Sequence, residues 1–414
     1  MTDGLILDEP WAKAPATQAV MAALTASGGP DCARFVGGCV RNALLRRPVD
    51  DVDIATTLVP DQTMRALTAA GVKWVPTGVE HGTVTAISHG RPYEITTLRR
   101  DVATDGRRAV VAFSLDWAED AARRDFRLNA LYMDGAGRVF DPLGQGVDDA
   151  MSGRIVFVGD PMTRIREDYL RILRFFRFLA WYGRGAPDPA ALAACAALRD
   201  LLADRPGERI SKELLKLLAA DDPRSAARLM RDAGVLDMVM PVAGLERLEA
   251  LVGLERDALG ETDAALRLLA LMPQVPSEVA RAAERLRLSN ADRDRLLAAL
   301  AAAPPIAPSM DAHAVRRLIY KAGKSAARDR IKLAWAAAPQ APGWRALLQR
   351  ADACAAPVFP LTGQDAIAAG LAPGPVVGRA LKAVEAWWID QDFPDDRPLA
   401  LAHLSRVAHA MGEP

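Results

Sequence analysis

Two aspartates, Asp51 and Asp53, are the residues best suited to chemistry. In an extended strand, residues two positions apart point to the same face, so the two carboxylates would lie side by side. Such a pair can hold two magnesium ions about 4 Å apart, which stabilise the attacking and leaving oxygens in phosphoryl transfer. The apolar Val52 and Ile54 predict burial of the opposite face, which favours this interpretation over a solvated acidic turn. Glu94, on a later predicted strand, is a candidate third carboxylate.

Two consecutive glycines, Gly37 and Gly38, follow an apolar run and precede a helical segment. Glycines at such a turn let a phosphate approach the backbone, and the first turn of a helix offers free N–H groups and a positive dipole. Arg41, just inside the predicted helix, would add a charge to the same phosphates. Two consecutive glycines without a further motif more often form an ordinary strand–turn–helix junction. The phosphate interpretation therefore depends on the aspartates that follow.

A third group of polar residues recurs at three-residue steps within residues 167–178. On one continuous helix, Asp168 and Arg171 would share a face and present a carboxylate acceptor beside guanidinium donors. Such a pair can hydrogen-bond the pairing edge of a nucleobase. Arg174 and Arg177 continue the row among apolar residues. A buried arginine needs an anionic partner, and a triphosphate would supply one.

The elements expected to position these residues change in character along the chain. Up to about residue 148, short β-rich runs alternate with glycine-containing turns. Beyond residue 159, Ala, Leu and Arg recur at helical spacing. We therefore predict a small α/β head followed by a longer all-helical remainder, an α+β protein whose chemistry lies on the head or where the two parts meet.

The composition excludes several classes of protein. The 414 residues suggest two or three domains, and 50% hydrophobic with 25% charged residues is ordinary for a globular protein. Lys+Arg equal Asp+Glu at 52 each, so any nucleic-acid contact must depend on local positive charge. No apolar run reaches the roughly 18 residues that span a membrane, and the acidic first residues are not typical of a secretory signal. Four scattered cysteines predict a reducing cytoplasm, without a disulfide framework or cysteine zinc site.

A second basic segment spans residues 316–332. If this segment were one helix, four of its basic residues would form a stripe suited to an RNA backbone: Arg317, Lys321, Lys324 and Arg328. A solvated amphipathic face explains the stripe equally well. The sequence Gly-Lys-Ser at 323–325 ends like a phosphate loop, but leucine occupies the required first glycine position, Leu318, so we do not assign one.

Together these motifs resemble the class II CCA-adding tRNA nucleotidyltransferases and the related bacterial poly(A) polymerases. The similar segments follow the family's order: residues 37–41, 51–53, 123–131, 141–144, 158–161, 167–178, 361–365 and 373–375. Asn42 stands where the family usually has Asp, and Tyr169 where it usually has Pro. Neither position carries a metal or base contact in the family, so the resemblance still implies its chemistry.

The resemblance implies a nucleotidyltransferase head with a mixed sheet, followed by an elongated all-helical neck, body and tail. The expected domains are an N-terminal extension (1–28), the catalytic head (29–148), a nucleotide-selecting neck (149–222) and a tRNA-binding body and tail (223–414). The implied activity is cytoplasmic addition or repair of the 3′-terminal CCA of tRNA from CTP and ATP, with Mg²⁺ and release of pyrophosphate. No membrane and no dedicated protein partner are expected.

The resemblance also assigns roles to residues. Asp51, Asp53 and Glu94 are expected to be catalytic, the two aspartates as metal ligands. The expected nucleotide-binding residues are Gly37, Gly38, Arg41, Arg124, Asp125, Asn129, Asp168, Arg171, Arg174 and Arg177. The expected RNA-binding residues are Arg317, Lys321, Lys324 and Arg328.

Three alternatives stay open from the sequence. Poly(A) polymerases share every head motif but tend to carry a strongly basic C-terminal extension, which this neutral chain does not show. Enzymes that add only CC lack part of a loop after the strand of Glu94, and residues 100–108 are expected to supply that loop here. A non-catalytic RNA-binding protein on the same scaffold would have no need of both Asp51 and Asp53. Full CCA addition is therefore preferred.

Overall fold

The computed structural model describes residues 5–104, 109–301 and 305–412. The chain divides into two units, Met1–Met240 and Pro241–Pro414. Residues 105–108 of the loop singled out above lie outside the described residues. In the described part of the second unit every regular element is helical, which confirms the predicted all-helical remainder.

The first unit is built on a seven-stranded sheet with the order β3-β4-β5-β2-β1-β8-β9, accompanied by a separate hairpin of β6 and β7. The strands are β1 (Ala33–Val36), β2 (Asp53–Thr56), β3 (Lys73–Gly78), β4 (Thr83–Ser88), β5 (Arg91–Thr97), β6 (Arg99–Thr104), β7 (Ala109–Phe113), β8 (Tyr132–Met133) and β9 (Val139–Phe140). Strands β2 and β5 pair in parallel, and the other neighbours pair antiparallel. The predicted mixed sheet and α+β class are confirmed.

The helices of the first unit cover the sheet and continue beyond it. They are α1 (Pro10–Lys13), α2 (Pro15–Gly28), α3 (Gly38–Leu44), α4 (Pro60–Ala69), α5 (Trp117–Ala122), α6 (Gly146–Ser152), α7 (Pro161–Glu167), α8 (Arg171–Tyr182), α9 (Pro189–Leu198), α10 (Gly207–Leu218), α11 (Arg224–Asp232) and α12 (Val235–Val239). One face of the sheet packs on α2, where Ile54 and Ile95 join Leu24 in the core. Successive strand residues point to opposite faces, so burial of Ile54 directs its neighbour Asp53 to the other side.

The helix predicted over residues 167–178 is interrupted, which corrects the expectation that Asp168 and Arg171 share a helical face. Helix α7 ends at Glu167, Asp168 is extended (φ −149°, ψ 106°), and α8 begins at Arg171. The Asp168 carboxylate accepts a hydrogen bond from the backbone N–H of Leu170 (3.2 Å), and its carbonyl oxygen accepts one from that of Arg171 (2.9 Å). An aspartate that bonds the following backbone competes with the helix, which explains the break without a proline.

Helix α8 is fixed within the first unit by stacked phenylalanines. The ring centroid of Phe126, just before the sheet strand β8, lies 4.7 Å from that of Phe157 and 5.0 Å from that of Phe178. Phe175 stacks on Phe157 at 5.8 Å. Aromatic pairs at these separations are favourable beyond simple burial. The apolar positions of α8 therefore attach it to the segment that carries Arg124 and Asp125.

The second unit contains ten α-helices in its described part: α13 (Glu246–Leu254), α14 (Ala264–Leu271), α15 (Pro276–Arg285), α16 (Asn290–Leu300), α17 (Ala312–Ala322), α18 (Lys324–Ala337), α19 (Trp344–Ala353), α20 (Gly363–Ala368), α21 (Pro375–Asp390) and α22 (Arg397–Gly412). One core joins α17, α18 and α19, and another joins α20, α21 and α22. Across the described ranges, no helix is long and apolar enough to cross a membrane.

The predicted basic stripe does not lie on one helix. Gly323, with a φ of 80° that favours glycine, separates α17 from α18. Arg317 and Lys321 therefore belong to α17, whereas Lys324 and Arg328 belong to α18. The single stripe expected from the sequence is wrong in its geometry, because a heptad-like pattern cannot reveal a break at one glycine.

Candidate active site

The glycine turn lies between β1 and α3, as predicted. Gly37 has a φ of 72°, and its N–H donates to the carbonyl oxygen of Leu131 at 3.0 Å. A Cβ placed at Gly37 would lie 3.4 Å from Nη1 of Arg124, and one at Gly38 would lie 3.8 Å from Nη2 of Arg41. The two glycines thus leave open backbone between two guanidinium groups, an arrangement that suits an anion.

The predicted carboxylates come together at the same edge. Asp53 is the first residue of β2 and lies directly opposite Glu94 on the parallel neighbour β5. Asp51 is exposed just before β2, and Asp53 is half-buried. Burial, then the charge of Glu94 and more weakly that of Asp51, raise the pKa of Asp53 to about 6, while Arg124 opposes the shift. The cluster therefore has an excess of negative charge, which a cation would relieve.

Arg124 is held in place by a buried carboxylate that the sequence analysis did not single out. Its Nη2 lies 3.0 Å from Oδ2 of Asp120, and the Tyr132 hydroxyl donates to the same oxygen at 2.7 Å. Nε of Arg123 donates to Oδ1 of Asp120 at 2.8 Å. Burial alone would raise the pKa of Asp120, but Arg124 and Arg123 lower it to about 2. Asp120 thus fixes Arg124 against the glycine turn.

Replacing Asp120 with Asn should destabilise the first unit, because it breaks buried ion pairs and leaves Arg124 without a carboxylate. At pH 7 we expect the free energy of unfolding to fall by about 3–5 kcal/mol. The folded-state pKa of Asp120 lies below the unfolded value, so its contribution is complete above that value and is lost as the pH falls toward 2. Urea unfolding at pH 7, 4 and 3 measures this loss. The difference in the free energy of unfolding between the wild type and Asp120→Asn should shrink as the pH falls. Asp61→Asn, at an exposed position, is the control. A difference between the wild type and Asp120→Asn that does not change with pH would contradict the assignment.

A second hydrogen-bond chain joins four of the predicted nucleotide-binding residues. Nη1 of Arg41 donates to Oδ1 of Asn129 at 2.5 Å, and Nδ2 of Asn129 donates to Oδ1 of Asp125 at 3.0 Å. Nε of Arg174 donates to Oδ2 of Asp125 at 2.8 Å. Although burial opposes it, Arg174 and then Asn129 lower the pKa of Asp125 to about 2. The chain links helix α3 to helix α8 through Asp125 and Asn129.

The arginines of α8 already have carboxylate partners, which corrects the expectation that a triphosphate would be needed to neutralise them. Arg171 pairs with Glu167 at 2.5 Å, Arg174 with Asp125, and Nε of Arg177 lies 2.8 Å from Oε2 of Glu213. Arg171 also donates to the carbonyl oxygens of Arg164 (2.8 Å) and Arg123 (3.2 Å). The carboxylates hold these guanidinium groups in defined orientations.

Two adjoining clefts contain Asp51, Asp53 and the predicted nucleotide-binding residues, whereas Glu94 is not among the lining residues of either. The aspartate cleft, of about 540 Å³, is lined by Gly37, Gly38, Arg41, Asn42, Asp50, Asp51, Asp53, Arg124, Asp125, Asn129, Arg174, Arg177, Phe178, Trp181, Tyr182 and Lys216. The arginine cleft, of about 370 Å³, is lined by Arg123, Arg124, Asp125, Asp168, Leu170, Arg171, Arg174, Arg209, Lys212, Glu213 and Lys216. They share Arg124, Asp125, Arg174 and Lys216, so one extended ligand can occupy both. All the predicted nucleotide-binding residues line one or the other.

Helix α10 supplies residues that the sequence analysis missed. Arg209, Lys212 and Lys216 line the arginine cleft, and Arg209 pairs with the Asp168 carboxylate at 3.2 Å. Glu213, on the same face, pairs with Arg177. The signal was present as charged residues at i, i+3, i+4 and i+7 on an amphipathic helix. Such a pattern is also typical of a solvated surface, and only the fold shows that this face lines a cleft.

The predicted RNA-binding residues lie in the second unit, and most have protein partners there. Nη1 of Arg317 is 3.9 Å from Asp390, and Arg328 pairs with Asp352 at 2.9 Å. The Lys324 ammonium donates to the carbonyl oxygens of Asp352 (2.7 Å) and Cys354 (3.1 Å). Lys321 is exposed, and within the described ranges no hydrogen bond or ion pair of its side chain is found.

Comparisons with known proteins identify the family and the fold. Residues 33–156 match the family model described as "Poly A polymerase head domain", and residues 186–244 match "Probable RNA and SrmB- binding site of polymerase A". The mitochondrial CCA tRNA nucleotidyltransferase 1 of Homo sapiens is 32% identical over 393 residues, covering 90% of this chain and 86% of that protein. The CCA-adding enzyme of Latilactobacillus sakei is 32% identical over 376 residues, covering 88% and 91%. The crystal structure of the Bacillus stearothermophilus CCA-adding enzyme with CTP matches with a TM-score of 0.76 and 28% identity, covering 96% of this chain and 99% of that one.

Proposed function

The chain belongs to the family of CCA-adding tRNA nucleotidyltransferases, and from that premise we propose how its own residues perform the reaction. The substrates are CTP, ATP and a tRNA 3′ end. The terminal 3′-hydroxyl attacks the α-phosphorus, the bond to the β-phosphate oxygen breaks, and pyrophosphate leaves. The observation that supports this assignment is the aspartate cleft, where Asp51 and Asp53 adjoin a glycine turn between Arg41 and Arg124.

We propose that the nucleotide spans both clefts. The arginine cleft, with Asp168 and Arg171, takes the base, and the aspartate cleft takes the triphosphate against Gly37 and Gly38. Arg41 is suited to the phosphates because it is buried and all its hydrogen-bond acceptors in the described structure are neutral oxygens. Its positive charge is therefore not cancelled inside the protein, and an anionic ligand supplies the missing partner.

The carboxylate cluster fits Mg²⁺ by the chemistry of its donors. Within the described ranges, no hydrogen bond or ion pair to the carboxylates of Asp51 and Asp53 is found, and oxygen donors are what Mg²⁺ prefers. Magnesium typically takes few protein carboxylates and completes its coordination with substrate phosphate and water. Among the described residues, no group of three or more His, Cys, Asp or Glu side chains that could hold a metal ion is found. Bound there, Mg²⁺ would supply charge stabilisation at the attacking and leaving oxygens.

The protein side chains bind and orient the nucleotide. Arg124, fixed by Asp120, and Arg41, fixed by Asn129, hold the phosphates, so the α-phosphorus is presented to Asp51 and Asp53 without further reorganisation. Glu94, opposite Asp53, raises the local negative charge and so favours cation binding. The α8 arginines, oriented by their carboxylates, set the position of the sugar and base.

The proposed activity is tested with a tRNA transcript that ends at its discriminator base. With labelled CTP and ATP together, the transcript should grow by three nucleotides; with CTP alone, by two; and with UTP or GTP, by none. A product that extends with many A residues would instead indicate poly(A) polymerase, and arrest after CC with both nucleotides would indicate a CC-adding enzyme.

We further propose that Lys321 contributes to tRNA binding in the second unit, since its ammonium is exposed and has no partner in the described structure. Replacing Lys321 with Glu should weaken tRNA binding and reduce the slope of log affinity against log salt concentration by about 1, because one phosphate contact releases about one counterion. Filter binding at several salt concentrations measures the slope, with the exposed head residue Lys73→Glu as the control. Lys324→Glu is less informative, since it would also break two carbonyl contacts. If the wild type and Lys321→Glu gave equal slopes, Lys321 would not contact tRNA and would lie on a solvated face of α17.

We also propose roles for the segments of the chain and a compartment for the activity. The segments 29–148, 149–222 and 223–414 are assigned to catalysis, nucleotide selection and tRNA binding, which is supported by the cleft residues all preceding residue 217. Cytoplasmic activity is supported by four cysteines that are all free in the structure.

A further inference from the structure

Helix α8 orders the nucleotide along its length. Arg171, Arg174, Phe178 and Tyr182 recur at i, i+3, i+7 and i+11, which places them within about 80° on one face. Arg171, at the first residue, lines the arginine cleft, and Tyr182, at the last, lines the aspartate cleft. A nucleotide with its base at the start of α8 therefore extends its phosphates toward Tyr182.

At that end, two arginines approach the ring of Tyr182. The guanidinium carbon of Arg41 is 4.2 Å from the ring centroid of Tyr182, and that of Arg47 is 4.8 Å from it. The Tyr182 hydroxyl accepts a hydrogen bond from Nη2 of Arg41 at 2.8 Å. Cations within about 6 Å of an aromatic face are attracted to it, so the phenol ring helps to hold both side chains.

Arg47 is positioned by its backbone but not neutralised. Its N–H donates to the carbonyl oxygen of Asn42 at 2.8 Å, and Nδ2 of Asn42 donates to the carbonyl oxygen of Pro48 at 2.8 Å. The Arg47 side chain is exposed, and among the described residues no carboxylate pairs with it. Its guanidinium group therefore keeps its N–H donors and its charge available beside Tyr182, which lines the aspartate cleft, although Arg47 is not itself one of the lining residues.

We propose that Arg47, held on Tyr182, binds the terminal phosphates of the nucleotide and the pyrophosphate that leaves. The proposal rests on the proposed function, which puts the triphosphate beside Arg41. A planar guanidinium group can contact two phosphate oxygens at once, and beyond Arg41 it would meet the β- and γ-phosphates rather than the α-phosphate. Arg47 would thus help to distinguish triphosphates from monophosphates and stabilise the charge that develops on the leaving group.

The reverse reaction isolates this contact. An oxygen of pyrophosphate attacks the phosphorus of the 3′-terminal phosphodiester, the bond from that phosphorus to the preceding 3′ oxygen breaks, and this oxygen takes up a proton as CTP or ATP is released. Arg47→Ala should raise the KM for pyrophosphate about ten-fold or more, the effect expected of losing a charge-assisted hydrogen bond. Inhibition of the forward reaction by CMP should change by less than about two-fold, because CMP lacks the terminal phosphates.

Matched variants separate the proposed contact from general effects. Arg46→Ala removes the same charge one residue earlier, from an exposed side chain, and should leave the KM for pyrophosphate unchanged. Arg47→Lys keeps the charge but not the planar contact with Tyr182 and should be intermediate. Calorimetric titration of each protein with magnesium pyrophosphate, without RNA, measures the same contact independently of catalysis. A wild type that binds pyrophosphate but adds no nucleotide would count against the proposed function alone. Equal pyrophosphate affinity in the wild type and Arg47→Ala, at equal melting temperature, would overturn the proposal for Arg47.

Discussion

Replacing Asp51 or Asp53 with alanine should lower the rate of nucleotide addition by about three orders of magnitude or more, while tRNA binding stays within about two-fold. Both carboxylates line the aspartate cleft, and neither is engaged by another side chain in the described structure. Their proposed task is to hold Mg²⁺ at the reacting phosphate, a task that alanine cannot perform. Single-turnover incorporation of CMP into a tRNA lacking CCA, at saturating CTP, measures the loss directly.

Asp50 provides the matched control for this experiment. It is an exposed carboxylate next to Asp51 and lines the same cleft, but it lies further from β2 and is not a proposed metal ligand. Asp50→Ala should therefore keep most of the activity. The rate of nucleotide addition by Glu94→Gln should lie between that of Asp50→Ala and those of Asp51→Ala and Asp53→Ala, because Glu94 lies opposite Asp53 without being a proposed metal ligand. Substantial Mg²⁺-dependent addition by Asp51→Ala or Asp53→Ala would remove the metal assignment.

Local features of the site could be predicted because short-range physics determines them. The turn at Gly37 needs a positive φ, and a strand that begins at Asp53 needs Ile54 inside, so both follow from the residue pattern. Which strand would lie beside β2 could not be predicted. The parallel pairing that puts Glu94 opposite Asp53 joins residues 41 positions apart and depends on the order of the whole sheet.

The carboxylate partners of the arginines also could not be predicted from the sequence. A row of arginines on an apolar helix indicates that counter-charges are needed, but it does not say whether a ligand or the protein supplies them. Asp125 and Glu213 supply two of them across the fold, and Asp120 holds Arg124 in the same way. The helix break at Asp168 was missed because the capping hydrogen bond to Leu170 involves a residue type that is also compatible with a helix interior.

The largest expected change in specificity comes from Asp168 and Arg171. Cytosine and adenine present an amino donor beside a ring-nitrogen acceptor, whereas uracil and guanine present a carbonyl oxygen and an N–H. The break between α7 and α8 leaves the Asp168 carboxylate half-exposed in the arginine cleft, where Arg171 also lies. We expect Asp168 to accept from the amino group and Arg171 to donate to the ring nitrogen. Losing either contact should cost about 1–3 kcal/mol of discrimination, or roughly 5- to 150-fold.

Asp168→Ala and Arg171→Ala should therefore impair incorporation of CTP and ATP and narrow their preference over UTP and GTP. The measurement is kcat/KM for all four nucleotides on tRNA ending at the discriminator base or at CC. Arg209→Ala is the control, since it removes the 3.2 Å partner of Asp168 without removing the carboxylate itself, and it should keep the wild-type order of nucleotides. Arg171 is also bound to Glu167 and to two backbone carbonyl oxygens, so its variant should lose rate as well as selectivity. If both alanine variants kept wild-type selectivity, base choice would lie in the RNA or elsewhere in the cleft, and the start of α8 would serve only to hold the nucleotide.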